Sequence, residues 1–354
     1  MQKQFTKNHS NMAKGLAILL LLAYHLFESE ELIVSLEVNH APFSRESFLL
    51  FSGFGNICVS VFVFLTAFGI ATGLLSQKET LSGDLFWRAA YSQAAKRFFR
   101  LMLNFAILYG SVNLLWWYKF DYQSLYGADK QGALLLLTDG LGLSMFFGTP
   151  TLNNTWWYME IAYILIFLVP ILTWLTEKIG YPILLIAFFL PHAVTVEPDL
   201  RRYLFVAVFG VCAAYGKWPE RLLNLKFHPA FQWPAGIAGF VLCVLIRQNF
   251  AVHEYYIHLV DAPIALFLVY VATALLGSLP VLKKALAFLG KYSMNIYLVH
   301  TFFYQILWQQ YIYHFKYAGI TFLLLLSACL FYSAILEAVK KAARLCMLKI
   351  SKHG

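Results

Sequence analysis

The chain has 354 residues, of which 60% are hydrophobic and only 13% are charged, and its mean hydropathy is +0.65. Soluble globular domains carry about 25% charged residues, so this composition excludes a soluble fold and predicts an integral membrane protein. The net charge of +9 comes from Lys and Arg residues scattered at the ends of apolar segments, which argues against a nucleic-acid-binding surface. The five Cys residues form no evenly spaced framework, so neither a disulfide scaffold nor a metal site is predicted.

Ten apolar segments follow one another along the chain. A transmembrane helix needs about 20 mostly apolar residues, so these segments predict an all-α polytopic bundle that forms a single integral-membrane domain over residues 1–354. The predicted spans are 12–28, 55–76, 97–118, 155–176, 180–196, 201–217, 233–250, 260–279, 289–313 and 317–338. The fifth and sixth spans are short, and we expect a tight hairpin around Glu197. The apolar stretch 132–150 is too broken for a span, which predicts a re-entrant or interfacial segment.

The distribution of basic residues predicts the orientation. With the N-terminus in the cytoplasm, 20 of the 27 Lys and Arg residues fall on the cytoplasmic side and the other 7 on the opposite side. Two aromatic trios, 116–118 and 156–158, fall at the predicted outer interface, where Trp and Tyr collect. We therefore expect a multi-pass protein of the plasma membrane with both termini in the cytoplasm.

Lys14 and His25 form the first candidate site. They are eleven residues apart on one predicted helix, so their side chains share a face and lie about 16 Å apart along the axis. Ionisable groups within a span are costly and are functional candidates for that reason. An imidazole in the outer half of a span is suited to accepting and returning a proton near neutral pH. The alternative is a packed histidine bonded to a neighbouring helix, with Lys14 reaching the headgroups.

Arg97 and Arg100 begin the third predicted span at its cytoplasmic end. Residues three apart on a helix are neighbours, so the two guanidinium groups can bind one anion, and a phosphate suits their geometry. The alternative is simple anchoring at the cytoplasmic surface.

Glu160 lies about one turn inside the outer end of the fourth predicted span, at the predicted depth of His25. We expect this carboxylate to orient the imidazole or to act on an acceptor hydroxyl. The alternative is a partly hydrated glutamate at the membrane interface. Ser293 and His300, on the ninth span, are seven residues and thus two turns apart, too far for direct hydrogen bonding, so a structural role is favoured for both.

Several motifs together resemble the membrane-bound acyltransferase-3 family of O-acyltransferases. The family's first helix carries a basic residue, ten intervening positions and then a His, and the segment from Lys14 to His25 is similar to it. Arg97 and Arg100 match the family's Arg-x-x-Arg motif. The other similar segments are 62–69 in the second span, 155–160 in the fourth, and 289–300 with its Gly-Lys-x-Ser and Tyr-Leu-x-His pattern. The resemblance covers nearly the whole chain and is to the short form, without a C-terminal esterase-like domain.

The resemblance implies transfer of an acyl group, commonly acetyl, from cytoplasmic acyl-CoA to a hydroxyl of an extracytoplasmic glycan. Its implied roles are His25 and Glu160 in catalysis and Lys14, Arg97 and Arg100 in binding acetyl-CoA, without a metal. The expected partners are the lipid bilayer, the acyl-CoA donor and a cell-surface polysaccharide or its lipid-linked precursor, while the oligomeric state is not readable from the sequence. The rival hypothesis is a secondary transporter or glycan exporter with a buried His and Glu, which would usually show broken helices in two related halves.

Overall fold

The computed structural model describes residues 3–78, 80–194, 198–225, 228–250 and 256–353, in which the chain forms sixteen α-helices. The hairpin turn expected around Glu197 lies outside the described residues. The helices are α1 (Lys7–Phe27), α2 (Glu30–Ser35), α3 (Arg45–Phe54), α4 (Cys58–Lys78), α5 (Gly83–Trp116), α6 (Tyr122–Tyr126), α7 (Lys130–Gly140), α8 (Tyr158–Ile179), α9 (Ile183–Ala193), α10 (Pro198–Tyr215), α11 (Trp218–Leu223), α12 (Pro229–Phe250), α13 (Ile257–Tyr270), α14 (Pro280–Thr301), α15 (Gln309–Ile312) and α16 (Ala318–His353). Short 3₁₀ turns (Gly55–Ile57, Trp117–Lys119, Asn154–Trp157, Leu276–Ser278) and π turns (Val271–Leu275, Phe302–Leu307) join some of them.

Seven helical segments of the described residues are long and apolar enough to cross a membrane. They are Lys7–Phe27, Arg45–Lys78, Gly83–Lys119, Asn154–Ile179, Ala230–Phe250, Ile257–Ser278 and Ala318–Ala342. The predicted all-α polytopic bundle is therefore confirmed, whereas the predicted count of ten spans is not reproduced.

The three other predicted spans lie on α9, α10 and α14, which differ from a simple apolar span. Helix α9 has 11 residues and a length of about 16 Å, roughly half the thickness of the hydrocarbon core. Helix α10 carries Arg201 and Arg202 near its start, and α14 carries Lys283 and Lys284. These three helices are short or carry charged residues, and they are not among the seven candidate spans.

Helices α1 and α14 pack backbone to backbone through two glycines. A Cβ on Gly15 would lie 2.1 Å from the carbonyl oxygen of Leu286, and a Cβ on Gly290 would lie 1.7 Å from that of Asn11. Leu286 lies four residues before Gly290, and Asn11 lies four residues before Gly15. The two glycines therefore lie at the same height along the pair of helices. Because no side chain fits there, only glycine permits this approach.

Local features of the sequence explain where α1 begins and why α4 lies at the centre of the bundle. The Thr6 hydroxyl accepts a hydrogen bond from the backbone N–H of His9, and the His9 ring accepts one from that of Thr6, which together cap the first turn of α1. Helix α4 is apolar on nearly all sides and packs against α1, α8, α10 and α13, so it forms the centre of the bundle.

The predicted re-entrant or interfacial stretch is an ordered peripheral unit that contains α7. Asp139, which is buried, accepts hydrogen bonds from the Tyr126 hydroxyl (2.5 Å), the Ser144 hydroxyl (3.0 Å) and the Leu152 backbone N–H (2.8 Å). Helix α7 is too short to span a bilayer, and its Leu134 is exposed. These features favour the interfacial alternative.

Candidate active site

The imidazole rings of His25 and His300 meet at the end of the α1–α14 contact, with their centroids 4.9 Å apart. His25 lies ten residues after Gly15 and His300 ten residues after Gly290, so the glycine contact brings the two rings to the same level, about 15 Å along the parallel helices. The side chain of His25 is 20% exposed, whereas His300 is completely buried. We call these two residues the histidine pair.

Glu28 supplies the carboxylate next to His25. It follows His25 by three residues, which places both side chains on one face of the helix end, and its Oε1 lies 3.7 Å from Nδ1 of His25. A carboxylate at Nδ1 favours the proton on that nitrogen and leaves Nε2 as the basic position. The i, i+3 spacing of His25 and Glu28 is the signal in the sequence for this pairing.

Hydrogen bonds fix the tautomer of His300. Its Nδ1 lies 2.6 Å from the carbonyl oxygen of Tyr297, and a carbonyl only accepts, so Nδ1 carries the proton. The Thr301 hydroxyl lies 3.3 Å from Nε2. The ring plane of His300 is thereby set by contacts to its own helix.

The 3₁₀ turn Asn154–Trp157 is fastened to α14 directly beside the histidine pair. The Thr155 hydroxyl lies 3.0 Å from that of Thr301, and the Tyr297 hydroxyl donates to the Thr155 carbonyl. The indole N–H of Trp156 donates to the Leu298 carbonyl at 3.0 Å. These contacts make the aromatic segment before α8 a wall of the site, which sequence reasoning did not foresee.

Glu160, the carboxylate predicted to act with His25, lies at the start of α8. It is 5% exposed in the first turn of α8, and Tyr158 and Ala162, two residues to either side of it, both line a cavity described below. Two residues correspond to about 200° around a helix, so Glu160 projects from the far side of α8. Among the described residues, the carboxylate paired with His25 is that of Glu28. A catalytic role for Glu160 stays a prediction.

A cavity of about 250 Å³, the inner cavity, runs between α1, α4, α5, α8 and α14. Lys14 lines it at the predicted cytoplasmic end, and Tyr158 and Tyr297 line it at the other. The ring of Tyr297 is 6.1 Å from that of His300, so the cavity ends one aromatic ring below the histidine pair. Ser293 also lines this cavity and donates to the Gly290 carbonyl, away from His300, as its spacing predicted.

Arg97 lies one helical turn from the inner cavity. Leu101, four residues later on the same face of α5, is part of the cavity lining. The Arg97 side chain is half-buried against α4, where a Cβ on Gly73 would lie 3.7 Å from its Nη2 atom. Arg100 is exposed one turn further along α5. The structure therefore brings Lys14, Arg97 and Arg100 to the same end of the bundle, opposite to the histidine pair.

Comparison with known proteins identifies the family. A family model described as an acyltransferase domain, that of the acyltransferase-3 family, matches residues 9–337. No curated protein and no solved structure matches the chain. The match begins before Lys14 and extends beyond His300, and it therefore includes both halves of the site. The chain belongs to the acyltransferase-3 family of membrane acyltransferases.

Proposed function

We propose that this acyltransferase is an O-acetyltransferase that moves an acetyl or related acyl group from cytoplasmic acyl-CoA to an extracytoplasmic glycan. The acceptor is a hydroxyl of a cell-surface polysaccharide or of its lipid-linked precursor. Family membership supports acyl transfer. The donor and the acceptor are the parts that we add.

The inner cavity is the observation that carries the proposal. Tyr297 lies seven residues beyond Gly290, so the cavity extends about 10 Å from the level of Lys14 towards the histidine pair. Its lining is mostly apolar, with Lys14 at the entrance, which suits a flexible thioester arm whose charged phosphates stay outside. A site for proton transfer alone would not need this passage.

Binding of the donor is assigned to the basic residues at the cytoplasmic end. Arg97 and Arg100 would bind phosphate oxygens through paired N–H groups, and Lys14 would add a point charge at the cavity entrance. The pantetheine arm would then follow the cavity and bring the thioester carbonyl to Tyr297, next to His300, whose ring contacts that of His25.

His25 would carry out the proton transfer. Its Nε2 takes the proton of the acceptor hydroxyl, the oxygen attacks the thioester carbonyl carbon, and the carbon–sulfur bond breaks. The imidazolium then gives its proton to the CoA thiolate, so the products are the ester and the free thiol. In a second route, Nε2 attacks the thioester carbonyl carbon, the carbon–sulfur bond breaks and CoA leaves as the thiolate. The alcohol oxygen then attacks the acyl-imidazole, and its proton passes to the thiolate, so the ester, the free thiol and the neutral imidazole result. Glu28 stabilises the positive imidazole in either route.

The test follows labelled acetyl-CoA supplied to membranes and the acetyl content of surface glycans by NMR. We expect the wild type to transfer label to glycan and His25→Ala to transfer none while being inserted at a normal level. Ala162→Leu, which adds volume in the wall of the cavity, should raise the KM for acetyl-CoA and leave the KM for the acceptor unchanged. Normal acylation by His25→Ala would overturn the proposal, and flux of a glycan without acyl incorporation would favour the transporter hypothesis.

A further inference from the structure

A second cavity, the outer pocket, opens at the end of the bundle that carries His25. Its volume is about 240 Å³, and it lies between the end of α3, the 3₁₀ turn after α3, the start of α10 and the end of α12. Its polar lining consists of Asn56, Arg202, Arg247 and Gln248. Two guanidinium groups and two amides thus face one space, and no carboxylate is among the described residues that line it.

Arg247 is held rigidly behind this pocket. It is more than nine-tenths buried, and it donates through Nε to Oδ1 of Asp261 at 2.8 Å and through Nη2 to Oδ2 at 3.3 Å. The same carboxylate accepts from the Ser60 hydroxyl at 3.0 Å, which ties α12 and α13 to the central helix. Because Nε and Nη2 are committed to Asp261, the remaining N–H groups of Arg247 are the ones available to the pocket.

Arg202 is anchored in a similar way from the other wall. Its Nε donates to Nε2 of His258 at 3.2 Å, so that imidazole nitrogen is an acceptor. The Nδ1 atom of His258 then carries the proton of a neutral ring and lies 3.8 Å from Oδ2 of Asp261. His258 therefore adds no charge, and in the described part of the chain the hydrogen bond of Arg202 is made through Nε.

Among the described residues, two arginines line the outer pocket, and the carboxylate of Asp261 that bonds to Arg247 is not part of the lining. A buried ion pair by itself would explain Arg247 as a structural group. It would not explain a second, exposed arginine and two amides around the same empty space.

Open space adjoins Gly53 at the wall of the pocket. Gly53 of α3 is part of the lining, and a Cβ built there would meet no atom within 4 Å. The pocket also adjoins the catalytic end of α1, because a Cβ on Gly55, the residue before Asn56, would lie 2.9 Å from Cβ of Tyr24. The ring of Tyr24 is 5.0 Å from that of His25.

The geometry points to the outer pocket as a binding site for an oxyanion, a phosphate or carboxylate group, carried by the acceptor. Planar guanidinium groups fixed at one edge present paired N–H donors to oxygen pairs of such a group. With its anionic group bound there, an acceptor extends past Tyr24 to place a hydroxyl at His25. That the ligand is the acceptor rests on the proposed acyl transfer. If it is, the acceptor is an anionic glycan or glycolipid.

Binding is measured without turnover, so that its outcome is independent of the acyl-transfer proposal. The full chain carrying Arg97→Gln and Arg100→Gln, which removes the predicted cytoplasmic phosphate site, is reconstituted in phosphatidylcholine nanodiscs. Calorimetric titrations with inorganic phosphate and with acetate, at constant ionic strength, compare this background with two further variants. Arg202→Gln removes one guanidinium, and Gly53→Leu fills the pocket without touching either arginine.

We expect at least one of the two anions to bind to the background, and both further variants to weaken that binding at least about tenfold. The preferred anion identifies the chemical group. Absence of binding of both anions, or equal binding in all three proteins, would overturn the inference. A second series uses nanodiscs with 30% phosphatidylglycerol to distinguish a lipid headgroup from the acceptor as the carrier of the anion. Loss of phosphate binding in these nanodiscs would assign the pocket to a lipid headgroup and would overturn its role in acceptor binding. His25→Ala should bind the anion normally even where it transfers no acyl group.

Discussion

His25 and His300 stand ring to ring, 4.9 Å between centroids, although 275 positions separate them in the chain. One ring is partly exposed and next to a carboxylate, and the other is buried and hydrogen-bonded at both nitrogens. On this asymmetry rest our proposals of a reactive role for His25 and a positioning role for His300.

Replacing His300 should slow the reaction without weakening donor binding. In His300→Gln the ring against which His25 packs is lost, so we expect kcat to fall about 10–100-fold and the KM for acyl-CoA to stay unchanged. The exposed His314, changed to Gln, is the matched control and should leave both constants unchanged. A proportional change in KM for the donor would show that His300 acts in binding instead.

The two glutamates should differ in their effect on the rate. Glu28→Gln removes the charge beside His25 and should lower kcat by about tenfold or more, because the imidazolium loses its counter-charge. Glu160→Gln, on the far side of α8, should change kcat far less. Thermal unfolding of both variants in detergent reports any loss of stability separately. A larger kinetic effect at Glu160 than at Glu28 would restore the role that the sequence suggested for it.

Arg97 and Arg100 should affect the binding of the acyl-CoA donor and not that of the acceptor. Arg97→Gln combined with Arg100→Gln should raise the KM for acyl-CoA at least about tenfold, since two charged hydrogen bonds to phosphate are lost. The KM for the acceptor should not change. Arg88→Gln, an exposed arginine on the same helix, controls for the general loss of positive charge. Equal effects on donor and acceptor would argue against phosphate binding by Arg97 and Arg100.

The contact between α1 and α14 should tolerate no added methyl group. In Gly290→Ala the new Cβ would have to displace the Asn11 carbonyl, so we expect a loss of about 1–3 kcal/mol in stability and a fall in activity as the histidine pair separates. Gly69→Ala adds the same group to α4, where no atom lies within 4 Å, and should be neutral or slightly stabilising. Thermal unfolding in detergent, with activity measured in parallel, compares the two. Unchanged activity in Gly290→Ala would disconnect this contact from the site.

The helical bundle and the shared face of Lys14 and His25 could be predicted from the sequence because composition and helical spacing are local properties. The neighbourhood of His300 could not, since it depends on how two helices far apart in the chain pack at their glycines. For Glu160, the sequence gives the depth along α8, whereas its direction relative to the cavity wall depends on how α8 packs.

The contact between the parallel helices α1 and α14 also determines when the histidine pair forms during synthesis of the chain. One ring of the histidine pair is made within the first 25 residues and the other only at residue 300, after most of the membrane-spanning segments have emerged from the ribosome. A nascent or truncated chain that ends before α14 therefore leaves His25 without its neighbour and the inner cavity without one of its walls. The two rings therefore meet only once nearly the whole chain has been made.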